Sequence, residues 1–264
     1  MDLKIKGKTA FISGSTAGIG FATARSLLQE GVKVIINGRS KEGVQTAMAK
    51  LQQEFEAAQV DGIAADLGKP EEVEKLFAEL PAVDILINNV GIYTATSFFD
   101  MKDEDWYRQF DVNVMSAVRL SRHYLPGMLE RNGGRILFIS SECATLVPAD
   151  LIAYSMTKTA LLAISRGLAQ LTKGTAVTVN TVAPGSTLSE GAEQFLTDAA
   201  AKEGKTVEAV EAAFFAEVRT SSLLQRFATV DEVASTITYL SSPLAAATNG
   251  ATIKVDGGSM GGIL

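Results

Sequence analysis

The chain has 264 residues and a formal net charge of −6, with 47% hydrophobic and 20% charged residues, which is ordinary for a globular protein. It carries no basic stripe of the kind that binds nucleic acid. No apolar run is as long as a membrane span, which needs about 18 residues. Cys143 is the only cysteine and His123 the only histidine, so an intrachain disulfide and a metal site built on several histidines are both excluded.

The N-terminal segment, MDLKIKGKTAFISG, has no signal-peptide pattern, which predicts a cytoplasmic location.

Short β-branched apolar runs then alternate with longer amphipathic stretches. The predicted strands are Thr9–Ile12, Val32–Ile36, Gly62–Ala64, Ile85–Ile87, Arg135–Ile139, Ala176–Val182 and Ala251–Val255. The predicted helices include Gly18–Glu30, Lys41–Ala57, Glu71–Leu80 and Leu151–Thr172. This alternation indicates an α/β fold with a doubly wound, parallel, seven-stranded sheet, helices on both faces, and a single domain over residues 1–264.

A glycine-rich turn joins the first predicted strand to the first predicted helix. Its glycines follow the spacing Gly-x-x-x-Gly-x-Gly, which allows a tight turn and a close approach of the backbone to a pyrophosphate. The helix N-terminus adds free N–H groups and a partial positive charge. We therefore expect a dinucleotide to bind here. The predicted contact residues are Gly14, Ser15, Thr16, Gly18, Ile19 and Gly20.

The end of the second predicted strand indicates which dinucleotide is bound. It reads Asn37-Gly38-Arg39-Ser40, without the carboxylate that would bind the ribose 2′-hydroxyl of NAD. Arg39, with Ser40 beside it, can meet a 2′-phosphate in a charge-assisted contact. NADP(H) is therefore favoured. NAD(H) is retained as the alternative, in which Arg39 is a solvated surface residue.

Tyr154 and Lys158 lie four residues apart in a helical stretch, so they share a helix face. The lysine charge is expected to lower the pKa of the phenol toward the range that acid/base catalysis needs. Ser141 follows the fifth predicted strand, where its hydroxyl can hydrogen-bond a carbonyl oxygen that gains charge during hydride transfer. The three residues predict a site for interconverting a carbonyl and an alcohol.

These motifs, with Asn88-Asn89-Val90-Gly91, Asn113 and Pro184-Gly185, occur in the order and approximate spacing of the short-chain dehydrogenase/reductase family. The chain resembles this family over essentially its whole length, and is similar to its 3-oxoacyl-ACP reductase-like members of roughly 250 residues. The resemblance implies a Rossmann-type fold and an NADP(H)-dependent oxidoreductase that acts on a small carbonyl or alcohol substrate, without a metal.

The resemblance also implies residue roles. Tyr154 would be the acid/base, Lys158 would lower its pKa and hold the nicotinamide ribose, and Ser141 would polarise the substrate. Asn113 would hold a water molecule that relays protons. The remaining expected cofactor contacts are Asp66 and Leu67 at the adenine, Asn89 and Gly91 after the fourth strand, and Pro184, Thr187 and Ser189 near the carboxamide. A homo-oligomer, most often a tetramer, is also implied, with Ala160, Leu161, Ile164 and Leu168 on a face apolar enough to pair.

Residues 186–228 are expected to form a substrate lid with two helices, Gly191–Lys202 and Val207–Arg219. Its phenylalanines indicate either a substrate with an apolar part or packing against a neighbouring subunit or the core. Cys143 is interpreted as a small wall residue of the substrate pocket. Glu142 is interpreted either as a group that steers a polar substrate or as a solvent-facing residue.

Two other functions are weighed against an NADP(H)-dependent reductase. An NAD-dependent alcohol or polyol dehydrogenase would use the same catalytic residues with a different cofactor. A non-catalytic dinucleotide sensor is disfavoured, because such proteins usually lose the tyrosine or the lysine and this chain keeps both Tyr154 and Lys158.

Overall fold

The computed structural model describes residues 2–56 and 59–262. The strands are β1 (Thr9–Ile12), β2 (Lys33–Gly38), β3 (Val60–Ala64), β4 (Ile85–Asn88), β5 (Gly134–Ile139), β6 (Val177–Pro184), β7 (Thr187–Leu188), β8 (Ala228–Thr229) and β9 (Thr252–Val255). Seven of them form one parallel sheet in the order β3-β2-β1-β4-β5-β6-β9. The order reverses between β1 and β4, which confirms the predicted doubly wound sheet.

The helices are α1 (Gly18–Gln29), α2 (Lys41–Glu54), α3 (Pro70–Glu79), α4 (Asp103–Phe110), α5 (Ser116–Glu130), α6 (Cys143–Leu146), α7 (Ile152–Leu171), α8 (Glu190–Glu203), α9 (Val207–Ala213) and α10 (Val230–Leu240). Most predicted boundaries agree to within two residues. The predicted helix Lys41–Ala57 instead ends at Glu54, and Ala57 itself lies outside the described residues. In the described part of the chain, no helix is both long and apolar enough to cross a membrane.

The sheet is covered on both faces, because side chains alternate along each strand. In β5, Leu137 and Ile139 contribute to the core beneath α1, α2 and α10, whereas Ile136 and Phe138 contribute to the core beneath α3, α5 and α7. All four are at most 3% exposed. This two-sided burial explains why the predicted strands are continuous apolar runs.

The apolar face of α7 is largely used by the core. Leu161 is 1% exposed and belongs to the core on its side of the sheet, and Ile164 and Leu168 pack against the same core. Core packing therefore accounts for Leu161 and for part of the surface of Ile164 and Leu168, whereas pairing of this face with another subunit stays a prediction. The amphipathic pattern alone does not distinguish a core face from an interface.

One continuous helical stretch runs from α4 to α5 through a π-helical turn, Asp111–Met115. Such turns add a residue to the helix and occur frequently at functional sites. The turn buries Asn113, which is 1% exposed, toward α7. The sequence analysis did not predict this turn.

Residues 186–228 fold as a separate layer beside the main sheet. The two predicted helices are present as α8 and as α9, which continues into a second π-helical turn, Phe214–Val218. A two-stranded parallel sheet of β7 and β8 closes the layer at its base. Leu196, Val210 and Phe215 form its own small core. We refer to residues 186–228 as the lid.

Candidate active site

The glycine-rich turn between β1 and α1 is held to the neighbouring strands by Asn37, which is 1% exposed at the end of β2. Asn37 Oδ1 accepts a hydrogen bond from the Gly14 N–H at 3.2 Å. Its Nδ2 donates to the carbonyl oxygens of Ile63 and Ala65, each at 3.1 Å. The Ser15 hydroxyl donates to Ile12 O at 2.7 Å and so supports the turn from within.

The turn presents bare backbone at the first turn of α1. Gly14 and Gly18 adopt positive φ angles of 62° and 58°. A Cβ built on Gly20 would lie 2.5 Å from Gly14 O and 2.6 Å from Asn89 Nδ2, so a side chain there would collide with the turn. This cradle fits the pyrophosphate of a dinucleotide, which needs close access to backbone N–H groups.

A cavity of about 270 Å³ extends from this turn along the ends of β2, β3 and β4. The predicted cofactor residues that line it are Gly14, Thr16, Arg39, Asp66, Leu67, Asn89 and Gly91. Ser40 is instead the N-cap of α2, where its hydroxyl accepts from the Gly43 N–H at 3.1 Å. Arg108 of α4 also lines the cavity and was not predicted, because no local motif marks it.

A second cavity of about 470 Å³ adjoins the first, and the two share Asn89 and Gly91. The predicted residues that line it are Gly18, Ile19, Ser141, Tyr154, Lys158, Pro184, Thr187 and Ser189. The structure therefore brings the glycine turn, the group of Ser141, Tyr154 and Lys158, and the segment after β6 to one site. The two cavities adjoin through Asn89 and Gly91.

Tyr154 and Lys158 lie on the first two turns of α7 and face the second cavity. Lys158 Nζ lies 5.6 Å from the centre of the Tyr154 ring and donates to the Ile139 carbonyl at 2.8 Å. The Ser140 hydroxyl donates to Lys158 O, also at 2.8 Å. These bonds hold α7 against the end of β5, which also carries Ser141 into the site.

Burial dominates the ionisation of both residues. It raises the pKa of Tyr154 above its usual value, and a hydrogen bond with Ser141 only partly opposes this rise. Burial also lowers the pKa of Lys158 to about 8. The net shift of the Tyr154 pKa is therefore upward and not downward as expected, because burial disfavours the charged phenolate and is the largest cause of the shift.

Asn113 connects the segment after β4 to α7. Its Oδ1 accepts from the Ile92 N–H at 2.7 Å, and its Nδ2 donates to Ile92 O at 2.8 Å and to Thr157 Oγ1 at 3.0 Å. The side-chain amide thus fixes the cavity wall. The expected role in a proton relay stays a prediction.

Two residues beside Tyr154 differ from expectation. Cys143 is 5% exposed and lies behind the residues that line the cavity, and burial raises the pKa of its thiol, which makes it less reactive. Tyr93, which was not predicted, lines the cavity with its ring centre 5.8 Å from that of Tyr154. It is 68% exposed and forms an aromatic wall at the entrance.

The lid contributes both apolar and charged groups to the site. Phe214 and Phe227 stack with their ring centres 5.2 Å apart, and both line the second cavity together with Phe195. At the start of α8, the Glu190 carboxylate accepts from the Gly18 N–H at 2.8 Å. The lid therefore touches the first turn of α1, beside the backbone that would receive a dinucleotide phosphate.

Among the described residues, no cluster of histidine, cysteine or acidic side chains could hold a metal ion.

The family model described as short chain dehydrogenase matches residues 8–200. An uncharacterized oxidoreductase of Bacillus subtilis, YvaG, is 48% identical over 258 residues, which cover 98% of each chain. The 3-oxoacyl-(acyl-carrier-protein) reductase FabG of Vibrio cholerae is 32% identical over 264 residues, which cover 97% of this chain and 98% of FabG.

A solved structure shows the same fold over the full length. L-Sorbose reductase from Gluconobacter frateurii, in complex with NADPH and L-sorbose, superposes with a TM-score of 0.92 and 30% sequence identity, and covers 100% of both chains.

We predict that Glu190→Gln strengthens dinucleotide binding. The substitution removes a negative charge that competes for the Gly18 N–H and repels phosphate, so the Kd should fall about two- to fivefold. Titration monitored by nicotinamide fluorescence measures this Kd. Glu193→Gln is the matched control, because it removes a charge from the same helical turn of α8 without this contact. An unchanged or weaker Kd for Glu190→Gln would contradict the competition.

Proposed function

Since this chain belongs to the short-chain dehydrogenase family, we propose that it is an NADP(H)-dependent oxidoreductase that transfers a hydride between nicotinamide and a carbonyl or alcohol substrate. The observation that carries the proposal is the convergence of Tyr154, Lys158 and Ser141 on one cavity that adjoins the glycine turn. A dinucleotide sensor would not need this catalytic set.

The cofactor would be held along both cavities. The glycine turn would hold the pyrophosphate, Asp66 and Leu67 would flank the adenine, and Thr187 and Ser189 would meet the carboxamide. When bound, the nicotinamide supplies or accepts the hydride. The protein's own task is to orient the substrate, exclude water and move one proton.

In the reductive direction, Tyr154 donates its proton to the substrate oxygen as that oxygen gains charge. The raised pKa of Tyr154 keeps the phenol protonated at neutral pH, which suits a general acid. Ser141 donates a second hydrogen bond to the same oxygen. Lys158, when protonated, stabilises the phenolate that remains.

The preference for NADP(H) is supported by charge at the adenosine cavity. Arg39 is exposed at the end of β2, and Arg108 lines the same cavity from α4. A 2′-phosphate between them would meet two guanidinium groups, which favour bidentate contacts. L-Sorbose reductase, the structural relative, was solved with NADPH. An NAD-dependent alcohol or polyol dehydrogenase is the alternative.

The substrate is proposed to have an apolar part beside its carbonyl group. Tyr93, Phe195, Phe214 and Phe227 supply apolar walls, whereas Ser186 supplies a hydroxyl. The relatives include reductases of a 3-oxoacyl thioester and of a ketose. A panel containing both classes distinguishes them by kcat/KM.

We also propose that the protein is a homo-oligomer, and in keeping with the family resemblance a tetramer. Phe99, Tyr107 and Phe110 on and before α4 are exposed aromatic residues, at 92%, 68% and 37%, and exposed apolar patches mark association surfaces. Light scattering at micromolar concentration measures the oligomeric state, and a monomer would contradict the proposal.

Tyr154→Phe should abolish carbonyl reduction. The substitution removes the proton donor and keeps the ring, so kcat should fall by about 10²- to 10⁴-fold while the Kd for NADPH stays nearly constant. Stopped-flow assays and fluorescence titration measure the two quantities. Tyr107→Phe removes a phenol hydroxyl from an exposed site and serves as the control. Retained turnover in Tyr154→Phe would contradict the mechanism.

Arg39→Ala should weaken NADPH binding about ten- to a hundredfold, because a charge-assisted contact with the 2′-phosphate is lost. The Kd for NADH should not change, which makes NADH the internal control. Arg108→Ala, measured alongside, separates the contributions of the two guanidinium groups. Equal affinities for NADPH and NADH in the unmodified protein would favour the NAD-dependent alternative.

Reduction should decline as the pH rises through about 8, where Lys158 loses its proton. The sign follows from its lowered pKa: the lysine is charged below this pH and neutral above it, whereas Tyr154 stays protonated. The pH profile of kcat/KM reports groups of the free enzyme. A profile that stays flat to about pH 10 would contradict this assignment.

A further inference from the structure

Glu142 is a carboxylate buried directly beside the catalytic serine. It is 3% exposed and stands next to Ser141 in the loop that follows β5. Its backbone N–H donates to the Pro184 carbonyl at 2.7 Å, which attaches this loop to the end of β6. A buried carboxylate without a cationic partner is strongly unfavourable. Neither a solvent-facing residue nor a free steering group fits this environment.

Arg219 of the lid is the cationic partner. Its Nε lies 2.7 Å from Glu142 Oε1, and its side chain is only 13% exposed. The guanidinium also lies 5.7 Å from the centre of the Phe214 ring, which lines the second cavity. The pair is therefore shielded from solvent. Shielded ion pairs are screened by salt much less than exposed pairs.

A hydroxyl at the opposite end of the lid joins the same carboxylate. Ser186 Oγ donates to Glu142 Oε1 at 3.1 Å, and Ser186 lines the second cavity. Glu142 thus connects the loop of Ser141 to Ser186, which begins the lid, and to Arg219, which follows the π-helical turn of the lid. Breaking this link would remove both side-chain contacts between Glu142 and the lid.

We propose that the ion pair of Glu142 and Arg219 positions the lid against the catalytic loop, so that the wall formed by Phe214 and Ser186 stands at a fixed distance from Ser141 and Tyr154. Glu142 and Arg219 are positioning residues, since both lie behind the residues that line the cavity. The inference rests on the proposed reductase function and adds to it the groups that set the lid.

The pair also affects the charge beside the phenol. After burial, the groups that affect the pKa of Tyr154 are Cys143, Ser141, Tyr93 and Glu142, and Lys158 Nζ lies 5.6 Å from the centre of its ring. The Glu142 charge contributes to the raised pKa of Tyr154. Arg219 lies close enough to lower the pKa of the Cys143 thiol, although burial raises it overall. Removing only Arg219 would leave the carboxylate uncompensated next to the phenol.

The competing explanation is that the ion pair of Glu142 and Arg219 only stabilises the fold. Arg226 of the lid also forms an ion pair, with its Nη2 2.7 Å from Oε1 of Glu232 in α10, and both of these side chains are about half exposed. Solvent screens this exposed pair more strongly than the buried pair of Glu142 and Arg219. Arg226→Met is therefore a matched control, because it removes an arginine from the lid without touching the catalytic loop.

The kinetic test uses Arg219→Met, Arg219→Lys and the double variant Glu142→Gln/Arg219→Met in alcohol oxidation with NADP⁺, where Tyr154 must lose its proton. Arg219→Met should lower kcat/KM about tenfold or more and move the acidic limb of its pH profile upward by about half a pH unit. The double variant should return the limb to its original position without restoring kcat/KM. Arg219→Lys keeps the positive charge beside Glu142, so the acidic limb of its pH profile should stay where it is in the unmodified protein. A kcat/KM for Arg219→Met that stays within about twofold of the unmodified protein's value would overturn the proposal.

Hydrogen–deuterium exchange tests the link without turnover. Glu142→Gln should raise exchange in residues 214–222, and Arg219→Met should raise it in residues 140–147, while Arg226→Met changes neither segment. NADPH titration confirms that each variant is folded. If exchange rises only in the substituted segment, the link is refuted. Failure of the unmodified protein to turn over any carbonyl compound would instead refute the proposed function, and the exchange result would still decide the link.

Discussion

The close approach of α1 to the ends of β1 and β4 is the constraint on which the site depends. Gly20 lies so near Gly14 O and the Asn89 side chain that no Cβ fits between them. Asn89 Nδ2 donates to the Gly14 carbonyl at 2.7 Å. This hydrogen bond fixes the glycine turn against the segment that follows β4 and leads to Gly91. Because Gly91 in turn lies against the Lys158 ammonium, the geometry of the glycine turn is transmitted to the catalytic residues.

The parts of this site that follow local patterns were predictable from the sequence. Parallel strands buried on both faces read as apolar runs, and the glycine turn and the Tyr154–Lys158 pair have fixed spacings that do not depend on distant contacts. Arg108 and Tyr93 reach the cavities only through the packing of α4 and of the segment after β4, and Arg219 meets Glu142 only through the packing of the lid. No spacing in the sequence marks such residues, since their neighbours are remote along the chain.

Burial was also beyond the sequence analysis, and it changed two interpretations. Placing Tyr154 and Lys158 on one helix face suggests that the cation stabilises the phenolate, but the cost of desolvating each charge depends on how many groups surround it. From the sequence, Glu142 was interpreted either as a group that steers a polar substrate or as a solvent-facing residue. The structure buries it. In both cases the protonation or the partners of a residue required the three-dimensional environment.

The π-helical turn between α4 and α5 has a consequence for how this site tolerates change. It inserts one residue into the helical repeat, so α4 is rotated relative to α5 by about 100° compared with an uninterrupted helix. Arg108 before the turn lines the first cavity, whereas Asn113 within the turn contacts α7. The orientations of the Arg108 guanidinium and of the Asn113 amide are thus coupled through one extra residue. In this segment the chain length, as well as the residue types, determines which way these side chains point.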